Sequence, residues 1–164
     1  MKSLLAILLL CCATLGQAAE TRFDAFYFFQ SEKVMQQKQV NFEELARYSR
    51  KIQSAVWKAL KKAQMPASAG YLVVAVRSDG EVATWLDMTP AVHEYYDNQI
   101  YDAVRKVAPV HVESGILVFA VKMAIDTAVH TRKSFPTPPG WDDARKKLND
   151  PDNIEELVLS LWPE

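Results

Sequence analysis

The spacing of apolar residues predicts a long amphipathic helix in the first half of the chain. One apolar stripe, with members three and four positions apart, consists of Leu45, Tyr48, Ile52, Ala55, Val56, Ala59, Leu60 and Ala63. Asn41 precedes the stripe, and Glu44 follows three residues later, which is typical of a helix N-terminus. We expect the helix to span residues 41–63 and to end before Pro66, since proline does not continue a helix.

Two short apolar runs predict a β-hairpin after this helix. Tyr71–Arg77 and Glu81–Asp87 are rich in β-branched and aromatic residues, and Asp79-Gly80 lies between them. An Asp-Gly pair favours a two-residue type I′ turn, which pairs Val74 with Trp85. The core face predicted from this register comprises Leu72, Val74, Val76, Ala83 and Trp85.

A second helix and a third strand follow the hairpin. Thr89-Pro90 has the pattern of a helix start, and Pro109 is expected to end this helix. Ile116–Ile125 is continuously apolar and rich in β-branched residues, which favours a strand. The predicted fold is therefore α+β, with a small three-stranded sheet packed with two main helices and with short C-terminal helices near Asp150-Pro151. Because the opposite face of the hairpin is also apolar, the pattern leaves open whether one or both faces of the sheet are covered.

The ends of the chain differ in composition from this central region. Lys2, the apolar run Leu4–Ala13 and the small residues Gly16 and Ala18 are typical of a secretory signal peptide over residues 1–19. The alternative is an uncleaved membrane anchor, although the run is shorter than the roughly 20 residues that a spanning helix needs. Both cysteines lie in this segment, so we expect the exported chain to contain no disulfide and no thiol nucleophile.

Three further segments make up the expected exported chain. Residues 20–40 carry the dense aromatic patch Phe23–Phe29, which could form a short strand or a helix turn. Packing on the domain's own core is favoured over an exposed anchor for a partner, because exposed apolar clusters are uncommon on soluble monomers. Residues 41–126 form the predicted α+β domain. Residues 127–164 comprise a Pro-rich extended stretch and a C-terminal helical extension that docks back on the domain.

Charge and motifs narrow the function classes. The formal net charge is −1 with both signs interspersed, so we expect no nucleic-acid partner. His93, His111 and His130 have no zinc-ligand spacing, and the chain contains no nucleophile elbow, phosphate-binding glycine loop or EF-hand pattern. We therefore expect a protein that is not an enzyme and needs no cofactor or metal. An enzyme with an unrecognised site at His93 or His111 remains the alternative.

The basic residues of the first helix lie off its apolar stripe. They are Arg47, Arg50, Lys51, Lys58, Lys61 and Lys62. They are interpreted either as an ordinary solvated helix surface or as a binding face for an acidic partner.

Residues 52–125 resemble the C-terminal domain of the TonB/TolA group of periplasmic proteins. The resemblance rests on the segments "IQSAVWKAL", "GYLVVAVRSDGEV", "YDNQIYDAVRKVAP" and "ILVFAVKM". Its matching positions are Trp57 in the first helix and Asp97, Ile100, Ala103, Val104, Arg105, Lys106 and Pro109 in the second. The resemblance implies an antiparallel third strand, a periplasmic location and a domain that binds other proteins through a sheet edge. Transducers of this family also have a membrane helix and a long linker, which the expected exported chain lacks, so energy transduction is not carried over.

The leading functional hypothesis is a soluble periplasmic protein-binding module, acting as an adaptor, inhibitor or immunity protein towards another envelope or secreted protein. A short membrane-anchored transducer is the alternative. Ile116–Ile125 is expected to be the open sheet edge, because the helix after the hairpin should crowd the other side. Lys122 is interpreted either as a guard against unwanted edge pairing or as a side chain that points to solvent. The candidate contact residues are Phe119, Val121, Lys122 and Met123 on this strand, and Phe26, Phe28 and Phe29 in the aromatic patch.

Overall fold

A computed structural model describes residues 20–163 of the 164-residue chain. The predicted signal peptide, residues 1–19, lies outside the described residues. In chain order the elements are β1 (Thr21–Phe28), α1 (Glu32–Gln37), α2 (Phe42–Leu60), β2 (Ser68–Arg77), β3 (Val82–Thr89), α3 (Glu94–Arg105), β4 (Ile116–Ile125), α4 (Trp141–Arg145) and α5 (Ile154–Ser160).

The strands form one four-stranded antiparallel sheet in the order β1-β4-β2-β3. The broad α+β class is confirmed, but the prediction of a three-stranded sheet is wrong. The fourth strand is β1, from the aromatic patch. Its sequence hides the two-residue period of a strand, because Phe26–Phe29 are all aromatic and supply apolar side chains to both faces of the sheet.

The hairpin of β2 and β3 has a three-residue loop in place of the expected two-residue turn. The amide of Gly80 donates to the carbonyl of Arg77, and the amide of Arg77 donates to the carbonyl of Glu81, both at 2.9 Å. Gly80 has a φ of +87°, as the left-handed residue of such a loop requires. Val74 is therefore paired with Thr84, so the predicted register is wrong by one residue. Since side chains alternate between faces, this difference moves Trp85 to the opposite face of the sheet.

Both faces of the sheet are covered. The larger core lies between the sheet and α2 and α3, and its largest fully buried side chains include Ile52, Leu72, Ile100 and Phe119. The smaller core lies under the C-terminal segment and is built around Trp141 and Leu157. This coverage explains why β2 and β4 are apolar on both faces, and it confirms that the C-terminal extension docks on the domain.

The predicted bounds of the helices differ in detail from the structure. Asn41 caps α2 as expected, since its Oδ1 accepts hydrogen bonds from the amides of Glu43 and Glu44 at 2.9 and 3.1 Å. The second helix begins at Glu94 and not at Pro90. Its N-cap is His93, whose Nδ1 accepts from the amide of Tyr95. An imidazole seldom caps a helix, so Thr89-Pro90 was the stronger sequence signal.

Candidate functional site

β4 is an internal strand, so it is not the open edge that the sequence analysis expected. β1 pairs with it on one side and β2 on the other. Phe119, Val121 and Met123 are fully buried in the larger core. Lys122 is half-buried opposite Tyr71, and paired side chains in a sheet point to the same face, so Lys122 projects from the face covered by the C-terminal segment.

The open edge beside β4 belongs to β1, which has one neighbouring strand among residues 20–163. A β-bulge interrupts the pairing, because Asp24 and Ala25 together lie opposite Lys122. The bulge also explains how Phe23 and Phe26, three residues apart, both pack towards α2. Bulges are common at sheet edges, where they limit the length of strand that can pair with another chain.

The main-chain groups of Phe26 and Phe28 point away from the sheet. The amide of Phe29 donates to the carbonyl of Val118 at 3.4 Å, so Phe29 is a residue that bonds to β4. Bonding alternates along an antiparallel strand, and Tyr27 therefore bonds to β4 as well. Phe28 lies between these two residues and Phe26 precedes them. The N–H and C=O groups of Phe26 and Phe28 are therefore directed to the open side.

The side chains of the same two residues form an exposed aromatic pair. The rings of Phe26 and Phe28 stack with centroids 6.1 Å apart and an interplanar angle of 10°. They are 39% and 38% exposed, even though Phe26 also lies 6.3 Å from the buried ring of Phe119. Phe29, the third aromatic candidate, packs instead against Trp141 at 5.6 Å on the opposite face.

Gln30 holds the end of β1 in place. Its side-chain amide donates to the carbonyl of Ile116 at 2.6 Å and accepts from the amide of Val118 at 2.9 Å. The side chain thus offers β4 the same donor and acceptor that the main chain of one more paired residue in β1 would have offered. Sequence reasoning missed Gln30, and a lone glutamine after an aromatic run carries no signal for this role. It keeps the Phe26–Phe28 edge fixed against β4.

The opposite edge of the sheet is more enclosed. α3 packs against β3, and Val82, Ala83, Asp87 and Met88 of this strand are buried. This packing agrees with the expectation that the helix after the hairpin crowds that side. The residues of β1 are on the whole more exposed than those of β3, which favours β1 as the accessible edge.

The two histidines of the alternative enzyme hypothesis lie at a helix cap and on the surface. His93 caps α3, and His111 lies 3.3 Å from Glu113 on an exposed loop. Within residues 20–163, no group of three His, Cys, Asp or Glu side chains is arranged to hold a metal ion. No helix in the same range has the length and apolar character needed to cross a bilayer.

No family model matches the chain, and neither the curated proteins nor the solved structures include a significant match.

Proposed function

We propose that the protein is an exported, non-enzymatic binding module that captures an extended segment of another envelope or secreted protein on the open edge of β1. One observation carries the proposal: Phe26 and Phe28 have both outward-directed main-chain groups and exposed, stacked rings. An added strand gains affinity from the main-chain groups of an edge, and side-chain contacts give it specificity. The resemblance to TonB/TolA C-terminal domains supports the same mode of binding.

The geometry limits what can bind at this edge. The bulge at Asp24 and Ala25 breaks the regular pairing, so the continuous part of the edge is short and centred on Phe26 and Phe28. We expect a partner segment with an apolar side chain that packs beside the two rings. Bulky aromatic or aliphatic residues suit this position, because aromatic pairs contribute beyond their buried area.

The experiment separates the ring of Phe28 from its N–H group. Phe28→Ala removes the ring alone, whereas Phe28→Pro also removes the outward N–H, which makes no bond to β4. Each variant is used to capture proteins from an extract of exported proteins of the source organism. The captured proteins are quantified by mass spectrometry.

Strand addition predicts that Phe28→Pro captures clearly less partner than Phe28→Ala, with both variants folded by circular dichroism. Phe135→Ala is the matched control, since Phe135 is 51% exposed but lies in the Pro-rich segment. Equal capture by all three variants and the unmodified protein would reject the β1 edge as the binding site. Equal loss in Phe28→Ala and Phe28→Pro would retain the aromatic contact and reject main-chain pairing.

A further inference from the structure

A groove runs along the flank of α2 that faces α3. Its main cavity has a volume of about 570 Å³ and a floor of small apolar side chains from both helices. These floor residues are Ala55, Ala59, Ala103 and Val107. A smaller cavity of about 220 Å³ lies beside the first half of α2 and the segment that follows α3, with Tyr48 and Pro109 in its lining.

The two cavities belong to one surface. The residues that α2 contributes to them, from Glu44 to Ala59, recur at spacings of three and four, so they lie on one face of the helix. The opposite wall is also continuous, because Val107 lines the main cavity and Ala108 lines the smaller one. At 1.5 Å per residue, the α2 side of the groove is about 22 Å long.

The margins of the groove are predominantly basic. Arg47, Lys51, Lys58 and Lys106 line it, against Glu44 and Asp102. Among residues 20–163, none of the three lysines forms an ion pair, and Arg47 only approaches Glu43 and Glu44 at 3.9 Å. A chain with a net charge of −1 thus presents a cationic rim around an apolar floor.

We propose that this groove binds an acidic amphipathic helix of a partner protein. A floor of alanines lets a helix approach closely, and a row of anchors at spacings of three and four fits a groove between two helices. Carboxylates on the flanks of that helix complement the lysines along the rim. A helix of about 15 residues matches the length of the groove.

A second copy of this chain does not supply this helix from α5, its own short acidic helix. Leu157 and Val158 of α5 are fully buried against the sheet, so its apolar face is already occupied. The groove is also independent of the proposed β1 site, because the lining residues come from α2, α3 and the segment after α3. Failure of one proposal therefore leaves the other unaffected.

The test uses a synthetic, end-capped, fluorescently labelled 16-residue peptide with leucines at helical spacing and glutamates on the flanks. Binding to the whole exported protein is measured by fluorescence anisotropy at low and high salt. One comparison peptide has lysines in place of the glutamates, and another has the acidic composition with the leucines scrambled. We expect saturable binding of the acidic amphipathic peptide alone, weakening at high salt.

The protein variants locate the binding. The double variant Lys58→Glu with Lys106→Glu should weaken binding at least tenfold, and Ala59→Leu, which fills the floor, should do the same with the charge unchanged. Lys33→Glu with Lys147→Glu makes the same charge change at exposed positions away from the groove, and should bind as the unmodified protein does. Melting curves followed by circular dichroism verify the fold of each variant. Absence of saturable binding, binding of the scrambled peptide, or equal loss in both charge-reversal variants would overturn the proposal.

Discussion

The ammonium of Lys38 and a carboxylate oxygen of Glu155 lie 2.7 Å apart, and this ion pair joins the two ends of the described chain. Lys38 follows α1 on one side of the sheet, and Glu155 belongs to α5 on the other. The same carboxylate accepts from the amide of Ile116 at 2.9 Å, and Lys38 donates to the carbonyl of Ser114 at 3.1 Å. The start of β4 is therefore held by both covering layers.

Gly115 lies directly against this ion pair, and Gly115→Ala should be destabilising because it displaces the paired groups and places alanine at a positive φ. A Cβ atom there would collide with Glu155 Oε2 and with Lys38 Nζ, which lies 2.5 Å from its position. The φ of +67° adds strain of about 1–3 kcal/mol for a residue other than glycine. Gly140→Ala is the control, since Gly140 has a φ of +83° with no atom within 4 Å of the added Cβ. Chemical denaturation should show a larger loss in the free energy of unfolding for Gly115→Ala than for Gly140→Ala. Equal losses would mean that Lys38 and Glu155 can move aside at no cost.

Removing the charge of Glu155 should leave the ammonium of Lys38 buried without a counter-charge, although it keeps its hydrogen bond to the carbonyl of Ser114. The side chain of Lys38 is only 8% exposed, so Glu155→Gln should reduce the free energy of unfolding by about 1–3 kcal/mol. The double variant Lys38→Met with Glu155→Gln should recover part of this loss, because no unpaired charge remains. A double-mutant cycle by urea denaturation measures the coupling. Strictly additive losses would show that the two groups are not coupled.

Asp87 links the Pro-rich segment to the sheet through side-chain hydrogen bonds. Its buried carboxylate accepts from Lys133 Nζ at 2.5 Å and from the amide of Thr137 at 2.8 Å. Asp87→Ala should lower the free energy of unfolding by about 1–3 kcal/mol, because it leaves a main-chain donor unpaired. Hydrogen exchange over residues 127–140 should rise before the protein unfolds globally. Asp143→Ala, which removes an exposed pair with Lys146, should leave both measurements unchanged.

The hairpin loop predicts a graded response at Gly80. Gly80→Val should lose about 1–3 kcal/mol, since a β-branched residue is strained at a φ of +87°. Gly80→Asn should lose less, because asparagine tolerates the left-handed region. The position has room for a side chain, with only Pro109 Cγ near the added Cβ at 3.9 Å. Equal melting temperatures for the two variants would therefore contradict a left-handed Gly80.

Tyr48 should affect the alkaline stability of the protein. Its hydroxyl is buried without a hydrogen-bond partner among the described residues, and burial raises the pKa of Tyr48 above its usual range. The unfolded chain releases this proton near its ordinary pKa of about 10, whereas the native protein retains it, so stability falls as pH rises beyond that value. Tyr48→Phe should remove part of this fall and leave stability at pH 7 unchanged or higher. The melting temperatures of the unmodified protein and of Tyr48→Phe are measured between pH 7 and pH 11. An identical decrease with pH in both proteins would contradict the prediction.

Only part of the candidate site could be predicted from the sequence. The apolar character of Phe26 and Phe28 alone makes them candidate contacts, and the structure places both on an exposed edge. Phe119, Val121 and Met123 are candidates from sequence only if Ile116–Ile125 is an edge strand, and that expectation is wrong. Their burial follows from the pairing of β1 with β4, a contact across about one hundred residues that leaves no local pattern in either strand.

The sequence by itself determined the elements whose signals are local. The stripe of α2 and its Asn41 cap, and the strand Ile116–Ile125, depend on spacing and composition within a few residues. Tertiary structure decided that β1 joins the sheet as its fourth strand, which register the hairpin adopts and which strand forms the open edge. A strand that carries apolar side chains on both faces, such as β1, shows no alternation. The choice between a two-residue and a three-residue loop at Asp79-Gly80 reverses every side chain of β3. These features depend on which surfaces the α2–α3 layer and the C-terminal segment cover, and that is a property of the whole packed chain.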